Sequence, residues 1–102
     1  GVGEIVGVCD EGDSKRIGIS LPSTLAPYVA AKGSITVDGV SLTVNDVADQ
    51  RDGSTHFAIN LIPHTQAVTT LGALTVGQAV NIEIDVLARY LFRMEQYRAL
   101  TR

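Results

Sequence analysis

The dipeptide Asp38-Gly39 restricts the possible folds of this chain most, because it stands between two runs of strand-forming residues. Ser34–Val37 precedes it and Val40–Val47 follows it, and a two-residue Asp-Gly loop in such a place is a strong indication of a β-hairpin. In the second run apolar and polar residues alternate. Ser41 and Thr43 are therefore predicted to share one face of a strand, about 7 Å apart along it.

Similar runs recur along the chain, separated by turn residues roughly every ten positions, and this pattern is typical of a small barrel or sandwich. Further strands are predicted at Gly3–Cys9, Arg16–Leu21, Thr55–Leu61 and Gln78–Val86. With the hairpin they make six. Residues 10–13 are predicted to form the first turn, and His64–Thr69 is predicted to form a short helix with Pro63 near its start.

From Leu87 onward the apolar residues recur with a helical period. Leu87, Tyr90, Leu91 and Met94 fall on one stripe, which needs a partner, either the chain's own barrel or a neighbouring copy. Phe92 lies beside the stripe and widens the apolar face, which favours packing between subunits. We expect a barrel over residues 1–86 and an oligomerisation helix over residues 87–102.

Length and composition set broad limits on fold and function. A chain of 102 residues is one domain, and with 5% aromatic residues and no Trp its core must be aliphatic. A net charge of −3 gives no electrostatic reason to bind nucleic acid or an acidic membrane. No apolar run is long enough to span a membrane, and the sequence does not start with the charged and then apolar stretches that are typical of a leader. Gly1, in place of Met, suggests a piece of something longer.

Cys9 is the single cysteine, which excludes an intrachain disulfide and agrees with a reducing, cytoplasmic compartment. Because it ends an apolar strand, we expect a buried, inert thiol. His56 and His64 each stand alone in the sequence and are expected to be structural or solvated. The sequence carries no nucleophile turn with a triad, no metal-ligand spacing and no glycine-rich phosphate loop.

A set of small polar residues remains as the candidate site. It comprises Lys32, Ser41, Thr43, Thr65 and Asp85. Hydroxyl groups both donate and accept hydrogen bonds, so such a set suits a neutral, polyhydroxylated ligand. Periodicity alone favours a simpler interpretation, in which Ser and Thr alternate because that face meets solvent.

Four blocks of sequence resemble a known family, and this resemblance favours a ligand site over a face that merely meets solvent. They are Lys32–Val44 (KGSITVDGVSLTV), Leu61–Thr65 (LIPHT), Thr69–Gly72 (TTLG) and Val80–Asp85 (VNIEID). In their order and spacing they resemble the second of the two barrel halves of riboflavin synthases. Serine at position 41, where first halves carry cysteine, and the helix after the last strand both favour the second half.

The resemblance implies a six-stranded antiparallel Greek-key β-barrel with short helical turns and a C-terminal α-helix. It implies a dismutase that transfers a four-carbon unit between two molecules of 6,7-dimethyl-8-ribityllumazine, giving riboflavin and a ribitylaminopyrimidine, without a metal or organic cofactor. In such enzymes two lumazines lie face to face between barrels of different subunits of a trimer. An isolated half is expected to form a dimer or a trimer.

The resemblance also implies residue roles. Ser41, Thr43 and Asp85 would be catalytic, the hydroxyls relaying a proton from an acidic methyl group and Asp85 orienting them or bonding the ribityl chain. Substrate would be bound by Lys32, Ser41, Leu42, Thr43, Ile62, Pro63, His64, Thr65, Gln66 and Ala67. Gln66 and Ala67 stand where relatives often carry charges, so we expect the side-chain chemistry at the rim of the site to differ from theirs. The first barrel is missing, so we expect a ligand-binding half-site that turns over poorly.

Three rival functions follow from the same residues. Lumazine proteins bind a lumazine or flavin without catalysis, but their second barrels have lost the polar site residues that this chain keeps. Flavin-binding barrels of the ferredoxin-reductase type carry an Arg-x-Tyr-Ser/Thr strand motif, which is absent here. A plain interaction barrel is the third, and ligand titration distinguishes it from the others.

Overall fold

Seven strands and two α-helices make up the fold in a computed structural model that describes residues 1–100, without the side chains of Ala67, Val68 and Thr70. The strands are β1 (Val2–Glu11), β2 (Ser14–Leu21), β3 (Ser34–Val37), β4 (Val40–Thr43), β5 (Asp46–Asp49), β6 (Thr55–Leu61) and β7 (Ala79–Ile84). The helices are α1 (Pro63–Val68) and α2 (Val86–Leu100), and single 3₁₀ turns lie at Ala26–Tyr28 and Thr70–Ala73.

The strands form one antiparallel sheet in the order β4-β3-β7-β1-β2-β6-β5, with the crossovers of a Greek-key arrangement. The chain passes directly from β4 at one edge to β5 at the other. At this passage Val44 exchanges backbone hydrogen bonds with Lys32 (2.7 Å) and Gly33 (2.8 Å). The next residue, Asn45, donates its N–H to the Ala58 carbonyl at 2.8 Å. The passage therefore joins the two edges, and the sheet curls into a barrel.

The predicted barrel architecture is confirmed, but the predicted count of six strands is wrong because residues 40–47 do not form a single strand. The backbone leaves its partner strand at Val44 and joins another at Asn45, which divides the segment into β4 and β5. The predicted hairpin is confirmed, since Val37 pairs with Val40 and both loop residues have positive φ angles, 47° at Asp38 and 84° at Gly39.

Element ends differ from the predictions by one or two residues. The first turn is limited to Gly12 and Asp13, because β1 and β2 stay paired out to Glu11 and Ser14. The short helix predicted over residues 64–69 is confirmed as α1, and β7 ends at Ile84, where the sequence pattern runs to residue 86. The division into a barrel over residues 1–86 and an oligomerisation helix over residues 87–102 stays a prediction. Residues 101 and 102 lie outside the described part.

The barrel interior is aliphatic, as the composition predicts, with Phe57 as its aromatic member. Alternate residues of every long strand point inward, and Leu71 and Leu74 close one side between α1 and β7. The buried cluster consists of Ile5, Ile17, Ile19, Leu21, Ile35, Val37, Val44, Phe57, Ile59, Leu61, Leu71, Leu74, Val80 and Ile82. Burial of this apolar surface provides the main driving force for folding.

The prediction of a buried thiol is wrong, because Cys9 is exposed. A register irregularity between Ile5 and Gly7 shifts the alternation of β1, so that Cys9 lies opposite Arg16 and not opposite a core residue. Cys9 therefore points away from the core.

Helix α2 buries none of its residues completely. The ring of Phe92 packs edge-on against Tyr28, with 5.0 Å between ring centroids. Phe92 thus serves packing within the chain, and the prediction that it widens the face between subunits is wrong. The stripe residues stay uncovered, from 56% exposure at Met94 to 67% at Tyr90. No helix among residues 1–100 is both long and apolar enough to cross a membrane.

Gly72→Ala should destabilise the fold by about 1–3 kcal/mol, the range for overpacking a close contact. A Cβ atom at this position would lie 2.9 Å from the backbone oxygen of Gln66 in α1, so the 3₁₀ turn and α1 must move apart. The midpoint of urea unfolding measures the loss. Gly7→Ala is the matched control, because a Cβ atom there meets nothing within 4 Å. Equal midpoints for the two variants would contradict this expectation.

Candidate functional site

The outer face of β4, β3 and β7 carries a ladder of polar side chains. Ser41 lies opposite Thr36, which lies opposite Glu83, and in the next row Thr43 lies opposite Ser34. Because side chains alternate along a strand, the intervening residues Ile35, Val37 and Ile82 point into the core. The face that Ser41 and Thr43 share is thus confirmed as a polar, outward one.

A cleft of about 390 Å³ lies on this face. Its lining consists of Ser34, Ile35, Thr36, Ser41, Glu83, Ile84, Asp85 and Val86. Two of the three residues predicted to be catalytic, Ser41 and Asp85, therefore share one cleft. Thr43 does not line it but pairs with Ser34, which does.

Asp85 also caps helix α2. Its Oδ1 accepts a hydrogen bond from the Leu87 N–H at 2.9 Å, and its carbonyl oxygen accepts one from the Arg89 N–H at 3.2 Å. This is the bonding expected of an N-cap aspartate. Within the described residues no hydrogen bond joins Asp85 to Ser41 or Thr43, so its orienting role stays a prediction.

Lys32 and Leu42 lie next to the ladder without lining the cleft. Lys32 is exposed in the turn before β3, has a φ of 68°, and is held through its backbone N–H by Val44, the residue after Thr43. Leu42 is half-buried and its side chain packs on the core. Its backbone is therefore the part that could contact a ligand.

The predicted second wall, residues 62–67, follows directly after β6, a strand that β4 contacts. Ile62 is 56% exposed, Pro63 and His64 are exposed, and Thr65 is half-buried. Residues 62–66 do not line the cleft, and the side chain of Ala67 lies outside the described part.

The amide of Gln66 has a structural role. Its Nε2 atom donates hydrogen bonds to the carbonyl oxygens of Leu61 (2.8 Å) and Asp13 (3.1 Å). These bonds tie the first turn of α1 to the end of β6 and to the β1–β2 turn. In this arrangement both amide hydrogens can be satisfied within the chain.

Sequence reasoning missed Ser34, Thr36 and Glu83 as lining residues. A signal was present, because Ser34 and Thr36 alternate with Ile35 and Val37 just as Ser41 and Thr43 alternate with their neighbours. Glu83 alternates in the same way with Ile82 and Ile84. What the sequence does not reveal is that β3 pairs with β4 on one side and with β7 on the other, in registers that bring these residues together.

The charges of the cleft are negative only. Glu83 and Asp85 are both exposed, and no Lys, Arg or His is among its eight lining residues. Among the described residues no three metal-ligating side chains lie close enough together to hold an ion. The chemistry available on this face is therefore hydrogen bonding by hydroxyls and carboxylates.

Perturbed ionisations lie elsewhere on the surface. The Arg16 guanidinium donates to the Asp46 carboxylate, which raises the pKa of Arg16 and ties β2 to β5. The Ser54 hydroxyl and N–H both donate to Asp52 and lower the pKa of that carboxyl. These contacts stabilise a strand pair and a turn, away from the cleft.

A larger groove, of about 750 Å³, runs along α2. All its lining residues belong to that one helix, among them Tyr90, Leu91 and Met94 of the apolar stripe. A groove formed by one helix surface has no opposing wall to enclose a small ligand. Its apolar stripe is instead the kind of surface that packs against another protein element.

Comparison with known proteins identifies the family. The model of the lumazine binding domain matches residues 1–85. The chain is 48% identical over 93 residues to the riboflavin synthase of Mycobacterium tuberculosis (strain ATCC 25618 / H37Rv), a match that covers 90% of this chain and 45% of that protein. It is 48% identical over 98 residues to the riboflavin synthase of Brucella abortus (strain 2308), covering 96% and 46%. The chain thus spans slightly less than half the length of these relatives.

Three solved structures of LumP resemble the fold. The complexes with flavin mononucleotide and with riboflavin both have a TM-score of 0.74, at 26% and 27% identity. The complex with 6,7-dimethyl-8-(1'-D-ribityl) lumazine has a TM-score of 0.69 at 29% identity. The matches cover 83–84% of this chain and 44–45% of each LumP chain. Together with the match over residues 1–85, these likenesses show that the chain belongs to the lumazine-binding domain family.

Proposed function

We propose that the chain is one lumazine-binding barrel of a riboflavin synthase and supplies one wall of its active site. The reaction is the dismutation of two 6,7-dimethyl-8-ribityllumazine molecules to riboflavin and a ribitylaminopyrimidine. The observation that carries this proposal is the meeting of Ser41 and Asp85 in one polar cleft of a lumazine-binding barrel. The 48% identity to complete riboflavin synthases supports the assignment to this enzyme.

The cleft suits a ribityl-substituted ring. Hydroxyls of Ser41, Thr36 and Ser34 alternate as donors and acceptors for the ribityl hydroxyls, while the carboxylates of Glu83 and Asp85 accept from them. Val86, 78% exposed at the rim, offers apolar surface for the ring. Neither a metal nor an organic cofactor is part of the proposed reaction.

The proposed site is complete only when a second barrel covers this face. Ser41, Thr43 and Glu83 are all exposed, so one side of a bound lumazine would remain open to water. Bringing two reactants face to face accounts for much of the barrier reduction in such a reaction, up to roughly 7–11 kcal/mol. In our proposal the opposite wall, with the second lumazine, belongs to the first barrel of a neighbouring subunit.

Ser41 and Thr43 are proposed to take part in moving the proton of the reacting methyl group. A hydroxyl is a weak base unless a neighbour activates it. Asp85 lies in the same cleft as Ser41 and is the carboxylate proposed to orient it. Lys32 and residues 62–67 are proposed to contact the substrate from the ends of the β4 face, with Thr65 as a hydroxyl partner.

Helix α2 is proposed to join copies of the chain. Leu87, Tyr90, Leu91 and Met94 are each more than half exposed, and the barrel leaves this stripe uncovered. We propose a homotrimer for the complete enzyme and a dimer or trimer for this chain. The net charge of −3 supports an enzyme that binds neither nucleic acid nor membrane, and the single cysteine agrees with the proposed cytoplasmic location.

A second candidate is a non-catalytic lumazine- or flavin-binding protein. The likeness to the LumP complexes favours this alternative. Both candidates bind the same ligands, and only the first forms riboflavin when the second barrel is present. Retention of Ser41 and Asp85 in the cleft favours the enzyme.

Ser41→Ala should weaken binding of 6,7-dimethyl-8-ribityllumazine about fivefold, the effect of losing one hydrogen bond of roughly 1 kcal/mol. Quenching of lumazine fluorescence during titration measures the dissociation constant. Ser23→Ala, which removes an exposed hydroxyl from the turn after β2, is the control and should bind as the unaltered chain does. Absence of lumazine binding by the unaltered chain would reject the proposed function.

Riboflavin formation by this chain alone should be slow even at high protein concentration, because the chain supplies only one wall of the site. The absorbance of riboflavin during incubation with 6,7-dimethyl-8-ribityllumazine measures the rate. The complete riboflavin synthase of Mycobacterium tuberculosis serves as the positive control. A comparable rate for the two proteins would contradict the half-site.

Met94→Glu should convert an oligomer of the chain to a species near the monomer mass of 10.8 kDa, since it places a charge in the apolar stripe. Deletion of residues 87–102 should have the same effect. Sedimentation equilibrium measures the mass. Gln96→Glu adds the same charge on the opposite side of α2 and should leave the mass unchanged. If Met94→Glu also leaves it unchanged, α2 does not organise the assembly.

A further inference from the structure

The ribityl cleft is acidic along one side. Glu83 on β7 lies opposite Thr36, and Thr36 lies opposite Ser41, so the carboxylate stands at the end of a row of hydroxyls. Asp85 adds a second carboxylate to the lining, and the cleft contains no basic residue to balance the two. One oxygen of Asp85 is already bonded to the backbone of α2, whereas no hydrogen bond within the described residues occupies the Glu83 carboxylate.

A carboxylate treats a ribityl chain and its phosphate ester differently. The hydroxyl groups of the ribityl chain are neutral and can donate to it, forming charge-assisted hydrogen bonds. A phosphate monoester carries about two negative charges near pH 7 and offers acceptor oxygens, so it cannot form the same bonds and is repelled. A basic side chain would oppose this preference, and the cleft lining has none, since Lys32 lies outside it in the turn before β3.

We propose that Glu83 is a specificity-determining residue that makes the cleft select unphosphorylated ribityl compounds over their 5'-phosphate esters. This inference rests on the proposed function, because it requires the ribityl chain to lie in the cleft. It goes beyond that function by assigning a role to Glu83 and by naming the class of compound that the cleft rejects. A protein that handles ribityl intermediates gains from such discrimination wherever phosphorylated flavins are also present.

Riboflavin and flavin mononucleotide are the matched probes, because they differ only in the phosphate. Titrations followed by flavin fluorescence give a dissociation constant for each and hence a preference ratio. The unaltered chain should bind riboflavin more tightly. Glu83→Gln should reduce the ratio roughly two- to fivefold, the size of effect that one exposed charge pair produces. Glu11→Gln, which removes an exposed carboxylate from the far end of β1, should leave the ratio unchanged.

Salt provides a measurement that requires no variant. Exposed charges are screened over about 10 Å at 0.1 M ionic strength, so added NaCl should strengthen binding of flavin mononucleotide and leave that of riboflavin nearly constant. Equal affinity of the unaltered chain for the two flavins, or an equal change of the ratio in Glu11→Gln, would overturn the role of Glu83 while the proposed function stands. Binding of neither flavin nor 6,7-dimethyl-8-ribityllumazine would overturn both.

Discussion

The hydrogen bonds of one backbone bend, at the point where the chain leaves one edge of the seven-stranded sheet for the other, determine much of the rest of the structure. The bend at Val44 and Asn45 carries one continuous segment from one edge to the other. Its backbone hydrogen bonds are made with Lys32, Gly33 and Ala58. Because the same bend holds β4 beside β3, it also fixes the position of Ser41. Barrel closure and the polar ladder therefore depend on one local backbone arrangement.

Local chemistry was sufficient to predict the β3–β4 hairpin, because the Asp38-Gly39 loop requires nothing from outside itself. The bend at Val44 could not be predicted in the same way. The alternation of Val40–Val47 loses its phase at Asp46, but this alone does not specify a bend, because the partner that fixes it is the carbonyl of Ala58 on a strand later in the chain. The exposure of Cys9 has the same kind of cause, since it depends on the register irregularity in the pairing of β1 with β2. Both features are set by pairing with another strand.

For the candidate site, alternation together with family resemblance was enough to select Ser41 and Asp85, which share the cleft. Glu83 has the same periodicity but is not identified as a site residue from the sequence. It becomes a candidate because β7 pairs with β3 in a register that places Glu83 opposite Thr36, and this register cannot be derived from one sequence. The proposed wall over residues 62–67 is a different case. Those residues follow a strand that contacts β4, but residues 62–66 do not line the cleft.

Asp85 belongs to two parts of the molecule at once, since its side chain caps α2 and lines the cleft. Any compound that engages this carboxylate changes the free energy of the first helical turn, and linkage requires the reverse effect to be equal in size. In the proposed assembly through the uncovered stripe of α2, occupancy of the cleft and association of copies would be coupled equilibria, because both act on the same helix.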